Sequence, residues 1–406
     1  MRKFLKHIHL WLSLPAGIFI AVMCLTGAVL VFQQEIQRAV SPGFYFTDRY
    51  REVKEPLPLD ALVCAAAEEL SGEGRKISSV TVYSNPESTV AVGVSGQKGV
   101  YMTIDPYTGE ITGKGAPAGR FFASVRSLHR WLMLTGTGRT VGRTIMGISS
   151  IMFSIILISG IFIAVPRAWR NVGQWKQALS VRRGKTSSVW WFTSHRAFGW
   201  CCAVFLLLMS LTGPMWSFSW YRNGVAAIFG IENMNGGKHG NGKGTPRTPV
   251  AGQPQNTASA EYVLDGIDPG IWMKVIAGIK GLEPEAVSVS LKKETATVVT
   301  AHHHARASDT YRFDPDGNIT DVQKYEDLPA SRKLMGYAFL LHAGLWGGWI
   351  VKLLYFIACI GGAYLVISGY CLYVRRIKKM PQAVSTTRET PDRITEGRRP
   401  NSRHRE

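Results

Sequence analysis

Apolar residues in this chain gather into four long blocks, Leu10–Phe32, Thr144–Val165, Phe198–Phe218 and Ile350–Val374, rather than recurring with the period of a water-soluble helix or strand. Each is long enough to cross a hydrocarbon layer of about 30 Å at about 1.5 Å per residue, so each predicts a transmembrane helix. The first block is longer than the apolar region of a signal peptide and lacks a small-x-small cleavage site, which makes it an uncleaved span.

The connections Ser41–Leu128 and Trp220–Leu341 carry a different pattern. In the first, a helical stretch at Leu59–Leu70 precedes alternating segments at Ile77–Tyr83, Thr89–Val94 and Val100–Ile104, then the turn Asp105-Pro106-Tyr107-Thr108-Gly109 and Ile111. In the second, Trp272–Ile279 precedes Ala286–Leu291, Thr295–Thr300 and Thr310–Phe313, then Asp314-Pro315-Asp316-Gly317 and Ile319. Alternation bounded by Gly, Pro and Asp predicts antiparallel strands. The fold class that results is a polytopic α-helical membrane protein, with four transmembrane helices as two duplicated pairs, each pair bracketing an extracytoplasmic α+β domain.

That reading divides the chain as follows: 1–40, N-terminus and first span; 41–120, first external domain; 121–167, short helix and second span; and 168–194, a basic loop. The second half then comprises 195–220, third span; 221–258, a linker rich in Gly, Pro and Asn; 259–330, second external domain; 331–376, fourth span; and 377–406, a polar tail expected to be disordered.

Charge supplies orientation. Arg2, Lys3 and Lys6, the loop with Arg167, Arg170, Lys176, Arg182, Arg183 and Lys185, and the tail from Arg375 and Arg376 onward are basic. The positive-inside rule places all three, and both termini, in the cytoplasm. The net charge of +19 is thereby a topology signal with attraction to anionic membrane lipid, and calls for no nucleic acid. Cys24, Cys201, Cys202, Cys359 and Cys371 lie in or beside the spans and only Cys64 outside, which excludes a disulfide framework and a CxxC pair.

Candidate chemistry resides in histidines. His9 is followed by Leu25-Thr26-Gly27 and His195 by Leu211-Thr212-Gly213 at the same offset, each opening a span at the cytoplasmic face. His129 and His342 each precede a span that runs inward, and so stand near the outer face. Two pairs on opposite leaflets suit two haems, His9 with His195 and His129 with His342, each iron held by imidazoles from two helices. Arg130, Arg139, Arg143 and Lys352 outside, and Arg196 inside, are candidate partners of haem propionates. His129 precedes its apolar block by roughly fifteen residues, about 22 Å of continuous helix; its place in the pair assumes that Leu128–Leu134 is a separate short helix folded back at the Thr135-Gly136-Thr137-Gly138 break. His7 fails the spacing and reads as interfacial. In His302-His303-His304 only alternate side chains could converge on a metal, and a solvated strand end is the simpler reading. The tryptophans at the span ends, among them Trp131, Trp216 and Trp346, read as an aromatic belt.

The chain resembles the PepSY-associated transmembrane family of iron-regulated bacterial membrane proteins, which includes haem-containing inner-membrane reductases of ferric siderophores. The resemblance is carried by His9-Leu10-Trp11 with Leu25-Thr26-Gly27, by Leu128-His129-Arg130 with Gly142-Arg143 and Ser159-Gly160, by His195-Arg196 with Leu211-Thr212-Gly213, and by Leu341-His342-Ala343-Gly344 with Ser368-Gly369. It implies PepSY-like external domains and an inner-membrane haem b electron-transfer protein with two haems, reducing a ferric siderophore or another extracytoplasmic acceptor. No GxGxxG or flavodoxin-like segment is present, so the electron donor is quinol or a separate cytoplasmic reductase. Two alternatives stay open: a non-catalytic PepSY binding protein for a peptide, protease or envelope partner, and an iron or siderophore transport component.

Overall fold

The computed structural model describes the chain apart from residues 54, 98, 167–169, 185–186, 232–269, 280–283, 291–293, 301–306 and 386–406. The His302–His304 triplet, most of the Gly- and Pro-rich linker and the end of the tail lie outside the described residues.

Chain order runs α1 (Arg2–Val31), α2 (Gln33–Val40), α3 (Pro42–Tyr45) and α4 (Leu59–Ser71), then β1 (Ile77–Tyr83), β2 (Val90–Val94), β3 (Met102–Ile104) and β4 (Ile111–Lys114). Next come α5 (Gly119–Trp131), α6 (Gly138–Ala164), α7 (Val172–Leu179), α8 (Ser187–Thr212), α9 (Ser219–Ile228) and α10 (Gly270–Ile279). The chain continues through β5 (Pro284–Ser290), β6 (Thr295–Thr300), β7 (Asp309–Phe313) and β8 (Ile319–Gln323) into α11 (Ala330–Ala343) and α12 (Gly348–Ser385).

Four helices, α1, α6, α8 extended by a 3-10 turn to Trp216, and α12, are long and apolar enough to span a membrane. They form a ring in which α1 and α8 each pack against both α6 and α12. Ala16, Ile20, Cys24, Phe153, Ile156, Leu157, Cys202, Leu206 and Ala358 fill its centre. The helices outrun the apolar blocks: α8 begins at Ser187, inside the segment expected to be a basic loop, and the rest of that loop contributes the short helix α7. Polar residues continue a helix wherever its end stands clear of the hydrocarbon, so hydropathy marks the membrane-embedded part and not the helix ends.

Strands fall where the alternation predicts them, yet the two sets do not remain separate. They form one antiparallel sheet in the order β4-β3-β2-β1-β5-β6-β7-β8, joined where β1 meets β5 with Val80 opposite Val289 and Tyr83 opposite Ala286. Thr81 donates from its hydroxyl to Ser288 Oγ across the seam at 2.9 Å. Val80 is 1% and Val289 0% exposed, so the junction lies inside the apolar layer that α4 and α10 close with Leu62, Ala66, Leu70, Val275 and Ile279. Pairing the two edges removes the open hydrogen-bonding groups that each half alone would present to water. Both Asp-Pro turns are built alike. Asp105 accepts from the Tyr107 amide with Gly109 at φ +77°, and Asp314 accepts from the Asp316 amide with Gly317 at φ +79°, a left-handed backbone that favours glycine.

Candidate functional site

The break before α6 reverses the chain. Leu132 and Met133 adopt φ +57° and +59°, and Gly136 φ +56°. Two non-glycine residues in the left-handed region are uncommon, and here they turn α5 back so that it packs against both α1 and α6. Gly142 permits the close approach: a Cβ there would stand 2.2 Å from the Trp131 carbonyl oxygen. In the second half Gly344, at φ +68°, ends α11 and lies against the ring of Tyr355, whose hydroxyl donates to the Leu341 carbonyl at 2.5 Å. These two reversals bring His129 and His342 over the bundle.

All four sequence-selected histidines meet in the expected pairs. The rings of His9 and His195 stand 6.4 Å apart, centre to centre, and those of His129 and His342 stand 6.2 Å apart. Each histidine rests on a hydroxyl residue followed by glycine on a spanning helix. His9 Nδ1 meets Ser159 Oγ at 3.1 Å and His195 Nδ1 meets Ser368 Oγ at 2.7 Å. His129 Nδ1 meets Thr26 Oγ1 at 2.8 Å and His342 Nδ1 meets Thr212 Oγ1 at 3.0 Å. A Cβ on the following glycine would lie 3.1 Å from His9 Cε1 at Gly160, 3.6 Å from His129 Cε1 at Gly27, 3.6 Å from His342 Cε1 at Gly213 and 3.7 Å from His195 Cε1 at Gly369. Only at Gly160 would that Cβ crowd the ring; at the other three it would make an ordinary contact with it.

These hydroxyls also bear on the tautomer. Each donates its own proton to a carbonyl of its helix: Thr26 to Val22, Ser159 to Ile156, Thr212 to Leu208 and Ser368 to Tyr364. A hydroxyl has one proton, so toward the imidazole it can only accept. The backbone carbonyls of Ile156 and Met209, which meet Nδ1 of His9 and His342 at 3.0 and 3.1 Å, accept as well. Nδ1 therefore carries the hydrogen in His9 and His342, leaving Nε2 a lone pair, the form that binds a metal, and the hydroxyl contacts of His129 and His195 are compatible with the same tautomer. Imidazole nitrogens lie about 1.15 Å from their ring centre, given ring bonds of ~1.33 Å, and bind a metal at about 2.0–2.1 Å. Two rings on opposite sides of one metal would thus stand about 6.3–6.5 Å apart. The His9 and His195 rings fall within that range at 6.4 Å, and the His129 and His342 rings lie just below it at 6.2 Å.

The two pairs occupy opposite ends of the bundle. Thr26, which carries His129, lies about 25 Å along α1 from His9. Among the described residues no three His, Cys, Asp or Glu side chains converge on one point. Two imidazoles fall short of the four protein donors of a bare tetrahedral metal.

A cavity of about 1310 Å³ opens around the His129 and His342 pair. Its floor is apolar and soft, with Met23, Cys24, Phe153, Leu206, Met209 and Cys359. Its rim is basic. Arg130 and Arg143 line it as expected, joined by Arg126, Arg222 and Arg332, which sequence reasoning did not select. Partial burial, then Arg139, Arg143 and Arg126 nearby, push the Arg130 guanidinium below its usual range, with no acidic group acting against them. Trp216, expected only as part of an aromatic belt, places its ring 5.4 Å from that of His342.

The remaining candidates stand elsewhere. Arg196 donates to the carbonyls of Ala178 and Gln177 at 3.1 and 2.5 Å and so caps α7. Lys352 pairs with Glu35 at 2.5 Å. Arg139 lies over the Trp131 ring at 3.9 Å. His7 turns back to the Lys3 carbonyl of its own helix, exposed to the surroundings.

The chain belongs to the PepSY-associated TM region family, whose model matches residues 6–376. It is an integral membrane protein of that class. No curated protein matches it in sequence.

Proposed function

We propose that this is a bacterial inner-membrane haem b electron-transfer protein with two haems, passing electrons outward to a ferric siderophore or a similar external acceptor. The observation that carries this reading is the pairing of the four imidazoles, with ring centres 6.4 and 6.2 Å apart and every Nδ1 at hydrogen-bond distance from a hydroxyl of a spanning helix. In it, His9 and His195 hold the inner haem and His129 and His342 the outer one. Haem held at each pair by these imidazoles would supply a one-electron couple. Arg130 and Arg143 reach the cavity from adjoining helices and are placed to face the propionates as charge-assisted donors. Ser159, Ser368, Thr26 and Thr212 hold the rings in one tautomer and orientation. The fourfold repetition of histidine on hydroxyl-glycine supports descent from two copies of a span, external segment and span. The basic termini and loop support a cytoplasmic N- and C-terminus, with the sheet outside. Quinol or a cytoplasmic reductase would supply the electrons.

The hydroxyls give a first test. Thr26→Val and Thr212→Val keep the side-chain shape and remove the acceptor, so each is expected to weaken retention of the outer haem by about tenfold, measured by transfer to apomyoglobin, while the inner haem is unaffected. Unchanged retention in both would remove the hydroxyls from the site. For the activity, protein reduced with dithionite in detergent and mixed with a ferric siderophore should reoxidise in a single turnover. His342→Ala should slow that step by at least about tenfold, since the outer haem stands between the acceptor and the inner one. If no ferric chelate reoxidises the wild type, iron is not the acceptor.

A further inference from the structure

We propose that the mouth of the outer cavity is a second anion site, formed by Arg222, Arg332 and Arg126, and that it takes a polyanionic metal chelate of the catecholate or carboxylate type as electron acceptor. The proposal rests on the functional reading above, because it assigns the charge of the acceptor in that scheme.

Charge balance leads to it. Five arginines line the cavity and no aspartate or glutamate does. None of the five forms an ion pair with a described residue. A haem brings two carboxylates, which Arg130 and Arg143 suffice to meet one to one. Three guanidiniums are left over, and they come from separate elements: Arg126 from α5, Arg222 from α9 and Arg332 from α11.

Arg222 points to the same conclusion independently. Its Nε is buried and has no hydrogen-bond partner among the described residues. The side chain as a whole is part-exposed, but a buried N–H without an acceptor is costly, and an anion in the cavity it lines would satisfy it. Arg332 is exposed, and Arg126 makes one neutral hydrogen bond, to Gln33 Oε1 at 2.7 Å. The site therefore grades from a rim open to solvent to a buried donor. Tyr325 and Leu328, in the link between β8 and α11, line the same cavity, so its mouth lies on the side of the sheet. Positive charge distributed over three elements suits a ligand whose negative oxygens are also spread, and it repels a chelate bearing an ammonium group.

The test uses the haem-loaded, full-length protein in nanodiscs of zwitterionic lipid, with gallium(III) chelates as redox-inert probes. A trianionic gallium tris-catecholate should bind at least about tenfold more tightly than an uncharged gallium tris-hydroxamate, by calorimetry and by quenching of tryptophan fluorescence, and the preference should shrink as salt is raised. In Arg222→Gln with Arg332→Gln the preference should fall to about twofold or less with haem content and spectrum unchanged, and Arg222→Lys with Arg332→Lys should restore part of it. Equal binding of the two chelates to wild type would overturn the proposal without any variant. So would a preference that survives the double Gln change, or loss of the outer haem in that variant, which would assign these arginines to the propionates. If phosphatidylglycerol in the nanodisc abolishes the preference and cannot be displaced, the occupant is a lipid headgroup and the proposal fails. Haem content is read in the same samples, so absence of haem would sink the electron-transfer reading while a missing charge preference would sink only this one.

Discussion

His342→Ala and His129→Ala are each expected to remove the same haem, leaving a protein with about half the wild-type low-spin absorbance, while His9→Ala and His195→Ala remove the other. The rings meet at 6.2 Å in one pair and 6.4 Å in the other, so on the proposed reading each pair would hold one haem, and losing either member would lose it. Removing the second member of a pair should then add little to removing the first, because the two act as a unit. His7→Ala is the control. His7 is exposed and bonds to its own helix, so both haems should remain. Haem per chain, from the pyridine haemochrome, distinguishes these outcomes; four unrelated phenotypes would mean that the histidines do not share metals in this way.

Gly142→Ala is expected to destabilise the outer end of the bundle by about 3 kcal/mol and to empty the outer site, although it adds one methyl carbon on a helix that carries none of the four histidines. The added Cβ would stand 2.2 Å from the Trp131 carbonyl oxygen, and backbone cannot rotate away as a side chain end can. Relief requires α5 to move off α6. His129 rides on α5 only two residues before Trp131, so it would leave Thr26 with the helix. The inner haem should persist, since His9 and His195 are carried by α1 and α8. Gly138→Ala, one turn earlier, is the matched comparison: its Cβ would meet Leu134 Cβ at 3.5 Å, an ordinary contact, and both haems should stay. Haem content and thermal unfolding of the two variants check the contrast.

Much of this architecture was legible because the physics that writes it is local. Long apolar blocks and alternating strands need no partner to be recognised, and β1 and β6 begin and end at the residues the alternation marked. The single sheet was not legible. Val80 and Val289 alternate in the same way whether their strands are free edges or paired with each other, and only the folded chain decides. The histidines could be sorted by face from charge, but their seats could not: Thr26 and Thr212 look like ordinary helix residues until a ring from a distant segment lands on them. Arg196 and Lys352 were chosen for their depth, and the sequence does not show that the end of α7 and Glu35 meet them. Arg222 was passed over because nothing in the sequence shows that α9 faces a cavity.

The most direct measurement is the cofactor content and spin state of the purified wild-type protein from haem-replete cells. About two haems b per chain, extractable with acidic organic solvent and giving the low-spin spectrum of two imidazole ligands, is the predicted result, since the chain has no CxxCH attachment site. A folded preparation that is colourless, or one whose haem is high-spin and five-coordinate, would contradict the account.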